Sequence, residues 1–159
     1  MARILVVYYS LTGHTRQVAE AIAAECGADI DPIVTVKPGR MTFWTYFWGG
    51  WAALSKRSVA IRPEGKVPTN YDLVVLGGPN WAGHIPPPVR SYILENARSF
   101  KRLALFCTQG GANGERVLAQ MAELSGHTPM ARLLVSEPEL DTDLGRAKVA
   151  RFVADLANA

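Results

Sequence analysis

The sequence predicts a doubly wound, three-layer α/β sandwich built on a five-stranded parallel sheet. Short runs of β-branched, aliphatic and aromatic residues alternate along the chain with segments in which apolar residues recur at helical spacing. The first run, over residues 3–9, is apolar or aromatic at every position after Arg3, which is typical of a strand buried on both faces of a parallel sheet. Strands that alternate with helices are joined by right-handed crossovers, and such crossovers make the strands parallel.

The expected strands lie at residues 3–9, 30–36, 72–77, 103–107 and 132–135. A first helix follows the loop at residues 10–15 and ends near Gly27, which can cap it. Further helices are expected at residues 87–97, 114–124 and 143–156. Residues 62–68 are rich in proline and glycine and are interpreted as a surface loop, because each flank is too short to fold alone. One domain covering residues 1–159 is therefore expected.

The composition excludes several classes of protein. With 48% hydrophobic and 19% charged residues, the chain is globular in character, and it has no run of about 18 apolar residues that would predict a membrane-spanning helix. Cys26 and Cys107 lie far apart, so neither a metal site nor a disulfide framework is expected and a reducing, cytoplasmic location is the default. The net charge of +3 comes without a stripe of Lys and Arg, so no nucleic-acid partner is expected.

In a doubly wound fold, ligands bind beyond the carboxyl ends of the strands. The first loop at that edge carries three hydroxyl residues, Ser10, Thr12 and Thr15, around Gly13. Hydroxyls, a glycine and the start of a helix together favour a phosphate site. The loop lacks the Gly-Lys-Ser/Thr ending of a triphosphate loop and the three glycines of a dinucleotide fingerprint. By itself it could also be an ordinary turn with a threonine at the N-cap of the helix.

This first loop resembles the flavodoxin signature, in which Thr/Ser-x-Thr-Gly-x-Thr follows a strand, and the number and spacing of the strands extend the resemblance over the whole chain. The resemblance implies the strand order 2-1-3-4-5 and a loop that holds the phosphate of flavin mononucleotide (FMN). It implies phosphate contacts for Ser10, Thr12, Gly13, His14 and Thr15, from the hydroxyls and from the amides of residues 12–15.

The second loop follows the third strand and contains Trp81, a flat apolar surface with one N–H donor, next to Asn80, which offers a donor and an acceptor to a ring. Alone, Trp81 is at least as compatible with packing on the core. The stretch resembles the Gly-x-Pro-x-Trp-x-Gly segment of flavodoxin-like proteins and related quinone reductases. That resemblance implies that the flavin ring is flanked by Pro79, Asn80, Trp81, Ala82 and Gly83.

The third loop resembles the Thr-x-Gly-Gly loops of flavodoxin-like reductases and implies flavin contacts for Thr108, Gln109, Gly110 and Gly111. It lacks the acidic residues and the stacking tyrosine of electron-carrier flavodoxins. Exposed glycine amides suit an electron-rich reduced ring. Cys107, just before this loop, is interpreted as a small buried hydrophobe rather than a redox residue, because no partner cysteine or nearby cation accompanies it.

Among the histidines, His84 is the candidate catalytic residue, since it directly follows the ring segment and could relay a proton. Its alternative is an exposed loop histidine. His14 is expected to project into solvent.

Aromatic residues are concentrated between Phe43 and Trp51. On a helix they would form an apolar face wider than docking on one sheet face requires. A crossover helix packed on the core is as well supported as all the other interpretations of this segment combined. Of the others, a homodimer interface is preferred over a lid above the flavin, and a peripheral membrane contact is not excluded, because Ser55-Lys56-Arg57 and Arg62 follow.

The resemblance leaves three functions open. The preferred one is an FMN-dependent oxidoreductase that passes electrons from NAD(P)H to a quinone or similar acceptor. The second is a flavodoxin that carries single electrons between redox partners, and the third is a cofactor-free binding module. Residues 77–83 and 108–114 contain no Asp or Glu, so a reduced, anionic flavin should be less destabilised than in an acidic carrier. This argument assumes that no distant carboxylate folds over the ring; Glu115 is the nearest in sequence.

Overall fold

The computed structural model describes residues 1–36, 58–62 and 65–158. These residues contain a five-stranded, fully parallel sheet in the order β2-β1-β3-β4-β5, which confirms the predicted fold class and strand order. The strands are β1 (Ile4–Tyr8), β2 (Asp29–Pro32), β3 (Leu73–Pro79), β4 (Leu103–Gln109) and β5 (Arg132–Ser136).

The helices of the described residues lie close to their predicted positions. They are α1 (His14–Cys26), α2 (Pro87–Asn96), α3 (Gly114–Ser125) and α4 (Asp143–Ala157), with short 3₁₀ turns at Pro68–Asn70, Ala97–Ser99 and Glu137–Glu139. Gly27 ends α1 in the left-handed conformation, as predicted.

The sheet separates two apolar layers because successive strand residues point to opposite faces. On β1, Leu5 and Val7 pack with α2 and α3, whereas Val6 and Tyr8 pack with α1 and α4. Side chains on both faces are almost fully buried, which explains why the strands are continuously apolar rather than alternating.

The strand β2 is shorter than predicted and begins one residue earlier. The pairing between β1 and β2 ends where Tyr8 faces Pro32, because Tyr8 is the last residue of β1. Beyond that point Thr35 forms an antiparallel bridge with Ile61. The predicted strand over residues 30–36 was therefore wrong in its second half.

By contrast, β3 and β4 extend two residues past their predicted ends. A Cβ at Gly77 would lie 2.1 Å from a ring atom of Phe106 on β4. A glycine at this position therefore lets the phenyl ring pack directly against the β3 backbone. The longer strands carry the second and third loops further out from the sheet.

No helix of the described residues is long and apolar enough to cross a membrane. The aromatic segment between Phe43 and Trp51 lies outside the described residues.

Candidate functional site

The loops that follow β1, β3, β4 and β5 meet at the carboxyl edge of the sheet and enclose a cleft of about 300 Å³. Most of the residues predicted to contact a ligand line it. The lining consists of Leu11, Thr12, His14, Thr15, Pro79, Asn80, Trp81, Ala82, Thr108, Gly110 and Glu137.

The first loop leaves the start of α1 open toward this cleft. Gly13 is the N-cap residue, has a φ of 100° and makes no side-chain cap. Its own N–H donates to the Ser10 hydroxyl at 3.1 Å, so Ser10 holds the loop rather than lining the cleft. The N–H groups of His14, Thr15 and Arg16 have no acceptor within the helix, since first-turn amides lack a carbonyl four residues earlier. The expected alternative, a threonine N-cap, is not what the structure has.

A buried pair of hydroxyls joins the first and third loops. The Oγ1 atoms of Thr15 and Thr108 are 2.7 Å apart, and each residue is only 2% exposed. The carbonyl of Thr108 also accepts the N–H of Asn80 at 2.7 Å. Thr108 thereby contacts both of the other loops.

The second loop is a tight hairpin in which Trp81 and His84 form an antiparallel bridge. The Asn80 side chain accepts from the N–H of Gly83 at 2.7 Å and donates to the carbonyl of Ala112 at 2.6 Å. Both polar groups of the Asn80 side chain, predicted to meet a ligand ring, thus fix the hairpin in the structure. Ala82, with a φ of 50°, tolerates the left-handed region as part of that turn.

Trp81 lies at the cleft and is half-buried, so it is not a core residue. Its ring meets Tyr9 edge to face, with centroids 5.8 Å apart and planes at 79°. This contact fixes the orientation of the indole. It leaves Trp81 as a flat apolar wall of the cleft.

In the third loop, the Gln109 side chain accepts from the N–H of Gly114 at 2.8 Å and so helps to begin α3. Gly110 lines the cleft, and a Cβ added at Gly111 would meet no atom within 4 Å. The backbone at these glycines is therefore accessible to a ligand.

Sequence reasoning missed Glu137, which follows β5. Its Oε1 lies 3.2 Å from Nδ1 of His14, and the carboxylate lies over Gly110, within 3.2 Å of where a Cβ would be. The assumption that no distant carboxylate reaches the site is wrong. The one available signal was the position of Glu137 at the carboxyl end of the fifth strand, which a doubly wound fold brings to the ligand edge.

His14 is half-exposed, in line with the expectation, and its Nδ1 lies beside the Glu137 carboxylate and 3.4 Å from the Thr12 hydroxyl. His84 does not line the cleft, and its imidazole has no hydrogen bond to any other described residue. Its catalytic role stays a prediction.

Cys107 is fully buried, and burial raises the pKa of its thiol to about 12. Its Sγ donates weakly to the Thr108 carbonyl. This environment supports the interpretation of Cys107 as a packed hydrophobe. Within residues 1–36, 58–62 and 65–158, no cluster of three or more His, Cys, Asp or Glu side chains could hold a metal ion.

Comparison with solved structures shows what the fold resembles. A protein from Bacteroides eggerthii assigned as a flavoprotein superposes with a TM-score of 0.79 at 23% identity, over 99% of both chains. A flavoprotein from Lactobacillus acidophilus, solved in complex with FMN, gives 0.68 at 22% identity, over 89% of this chain and 97% of that one. Oxidised Flavodoxin 2 from Bacillus cereus gives 0.63 at 14% identity, over 99% of both chains.

No protein-family model matches the sequence, and no curated protein matches it. The structural similarities show that the chain has a flavodoxin-like fold.

Proposed function

We propose that the cleft binds FMN and that the protein is an oxidoreductase that uses it to pass electrons from NAD(P)H to a quinone or similar acceptor. The observation that carries this proposal is the arrangement of the cleft. Neutral hydrogen-bond donors line one part of it, and the flat side chain of Trp81 lines another. The FMN bound by the Lactobacillus acidophilus flavoprotein of similar fold supports the choice of cofactor.

The donors at the first loop fit a phosphate group. Thr12 and Thr15 bring hydroxyls, and the open start of α1 brings N–H groups and the positive end of the helix dipole. Neutral donors can surround a dianion without a paired cation, since each hydrogen bond to a charged acceptor stabilises it by about 1.5–3 kcal/mol.

The rest of the cleft fits a planar heteroaromatic ring. Trp81, fixed by Tyr9, and Pro79 provide apolar surface, and Gly110 provides accessible backbone. When bound, FMN would supply the electron transfer itself. The task of the protein is then to orient the ring, keep water from one side of it and deliver a proton. We propose His84 as the proton donor because it follows the ring segment directly in sequence, although it lies outside the lining of the cleft.

A second function, single-electron carriage between redox partners, is favoured by Glu137. A carboxylate that lines the cleft disfavours a reduced, anionic ring, and this property suits a carrier of low reduction potential. The enzyme remains the preferred proposal because Glu137 is the one acidic side chain among the described residues that line the cleft, and the loops at residues 77–83 and 108–114 contribute none.

The deciding experiment is to purify the full chain, add FMN, and follow NAD(P)H oxidation with and without a soluble quinone. Turnover that depends on both FMN and quinone supports the enzyme. FMN binding without turnover supports the carrier. No FMN binding overturns both and leaves a cofactor-free module.

The position of the ring is tested by fluorescence. The flavin ring would lie against the Trp81 indole, so bound FMN should quench the fluorescence of Trp81. Trp81→Phe should therefore remove part of the FMN-induced quenching seen in the wild type. Unchanged quenching would contradict a ring at Trp81.

We also propose a homodimer whose contact includes residues 43–51, on the basis of their aromatic side chains. Trp48→Glu should convert the dimer to a folded monomer in sedimentation experiments. A wild-type monomer at micromolar concentration would overturn the dimer, and binding of that monomer to anionic vesicles would identify the membrane contact instead.

A further inference from the structure

The hydroxyl pair of Thr15 and Thr108 carries one proton more than the pair itself uses. Two hydroxyls have two protons, and one of these forms the 2.7 Å bond between the oxygens. Among the described residues, neither side chain has another hydrogen bond. Both residues line the cleft, so the second proton is available to an acceptor that binds there.

The same residue is connected to the hairpin through its backbone. The Thr108 carbonyl accepts the N–H of Asn80 at 2.7 Å, and the Asn80 side chain in turn fixes the Trp81 hairpin through Gly83 and Ala112. Thr15 and Asn80 are therefore both hydrogen-bonded to Thr108, Thr15 to its side chain and Asn80 to its backbone carbonyl. Each link is at most 2.7 Å long.

We infer that Thr108 is a positioning residue that couples the phosphate end of the cleft to the Trp81 hairpin; this inference rests on the proposed function. An anion bound at the first loop accepts a hydrogen bond from the hydroxyl whose proton is not used within the pair, and this fixes which of the two threonines donates in the Thr15–Thr108 bond. That bond holds the end of β4 and, through the Thr108 carbonyl, the hairpin. Phosphate at one end of the cleft thus orders the ring-binding wall at the other.

The variants that test this coupling are closely matched. Thr108→Val removes the hydroxyl but keeps the shape of the side chain and the carbonyl that accepts from Asn80. Thr108→Ser restores the hydroxyl. Thr108→Ala also lacks the hydroxyl, and so serves as a second variant if Thr108→Val does not fold.

The readout is the amide NMR spectrum of the full chain during titration with inorganic phosphate. In the wild type and in Thr108→Ser, phosphate should shift the amides of both Gly13 and Asn80. In Thr108→Val the Asn80 response should disappear, while Gly13 still responds at about tenfold higher phosphate concentration. The Thr108→Val variant should likewise lose about tenfold in affinity for FMN, and less than about threefold for riboflavin, which lacks the phosphate.

The outcomes separate the two proposals. If Gly13 does not respond to phosphate in the wild type, the proposed phosphate site is wrong and the coupling is wrong with it. If Gly13 responds but Asn80 does not, or Asn80 responds equally in Thr108→Val, the coupling is overturned while the phosphate site stands.

Discussion

The helices α1 and α4 pack on the same face of the sheet, yet they begin in opposite ways. At the start of α4 the hydroxyl of Thr142 accepts the N–H of Gly145 at 3.2 Å, so the helix is capped by its own chain. At the start of α1 the N-cap residue is Gly13, which has no side chain to serve as a cap.

The start of α4 is therefore stabilised within the fold, whereas the start of α1 is open to stabilisation by a ligand. A side-chain cap stabilises a helix by about 1 kcal/mol, and α1 lacks such a cap where its first turn meets the cleft. A ligand that binds there only in the folded state would stabilise the protein instead. The start of α4 therefore serves the fold, whereas the start of α1 serves the site.

The two helix starts should differ most in how well they tolerate a Cβ at their glycines. A Cβ at Gly145 would lie 2.0 Å from the backbone carbonyl oxygen of Glu139, so Gly145→Ala should lower the free energy of unfolding by about 3 kcal/mol. Gly13→Ala meets no atom within 4 Å and should lose about 1–2 kcal/mol through its positive φ. Urea unfolding measures both. Equal losses would show that the two helix starts do not differ in this way.

FMN binding should depend on the start of α1 and not on the start of α4. Thr15→Val should weaken FMN binding by about ten- to a hundredfold, because a hydrogen bond to phosphate is lost, and Thr12→Val should act in the same direction. Thr142→Ala is the matched control: it should lose about 1 kcal/mol of stability and leave the FMN titration curve unchanged. Identical titration curves for Thr15→Val and the wild type would contradict the assignment.

Glu137 places a carboxylate beside the open start of α1. Glu137→Gln should tighten FMN binding by about threefold at low salt, because a negative charge near the phosphate is removed. The gain should shrink as salt is added. Weaker binding in Glu137→Gln would show that the His14–Glu137 pair holds the loop in its binding shape.

The smallest effect concerns pH. The Lys148 ammonium, 2.7 Å from a carboxylate oxygen of Glu139, lowers the pKa of that carboxyl, and the N–H of Ser136 acts in the same direction. A lowered pKa in the folded state stabilises the protein fully above the usual glutamate value of about 4.3, and this contribution is lost as the pH falls through the folded-state pKa. Lys148→Met should remove most of it, at about 0.5 kcal/mol. Unfolding curves at pH 3 to 7 would show no such difference if the pair were inert.

The parts of the fold that were predictable are those coded by neighbours in sequence. Continuous apolar runs identified the strands, and Gly27 identified the end of α1. The end of β2 was not predictable, because it depends on which partner Thr35 finds, and Ile61 lies 26 residues away. Gly78 and Pro79, the last two residues of β3, carry no strand signal, because glycine and proline more often mark a turn, and the predicted strand therefore stopped at Gly77.

The same distinction holds for the site. Short sequence motifs predicted Thr12, Thr15 and Trp81 as site residues, and all three line the cleft. The bond between Thr15 and Thr108 joins residues 93 positions apart. Glu137 and His14 are even further apart in the sequence. Contacts of this kind depend on the register of the sheet, which no local pattern encodes.

The burial of Cys107 bears on how the protein withstands oxidants. Oxidation of a cysteine depends on its thiolate character and on its exposure. Burial raises the pKa of the Cys107 thiol far above neutral pH, so the thiol stays protonated, and the side chain has no exposed surface. The sulfur immediately before Thr108 is therefore protected from oxidation even though Thr108 lines the cleft.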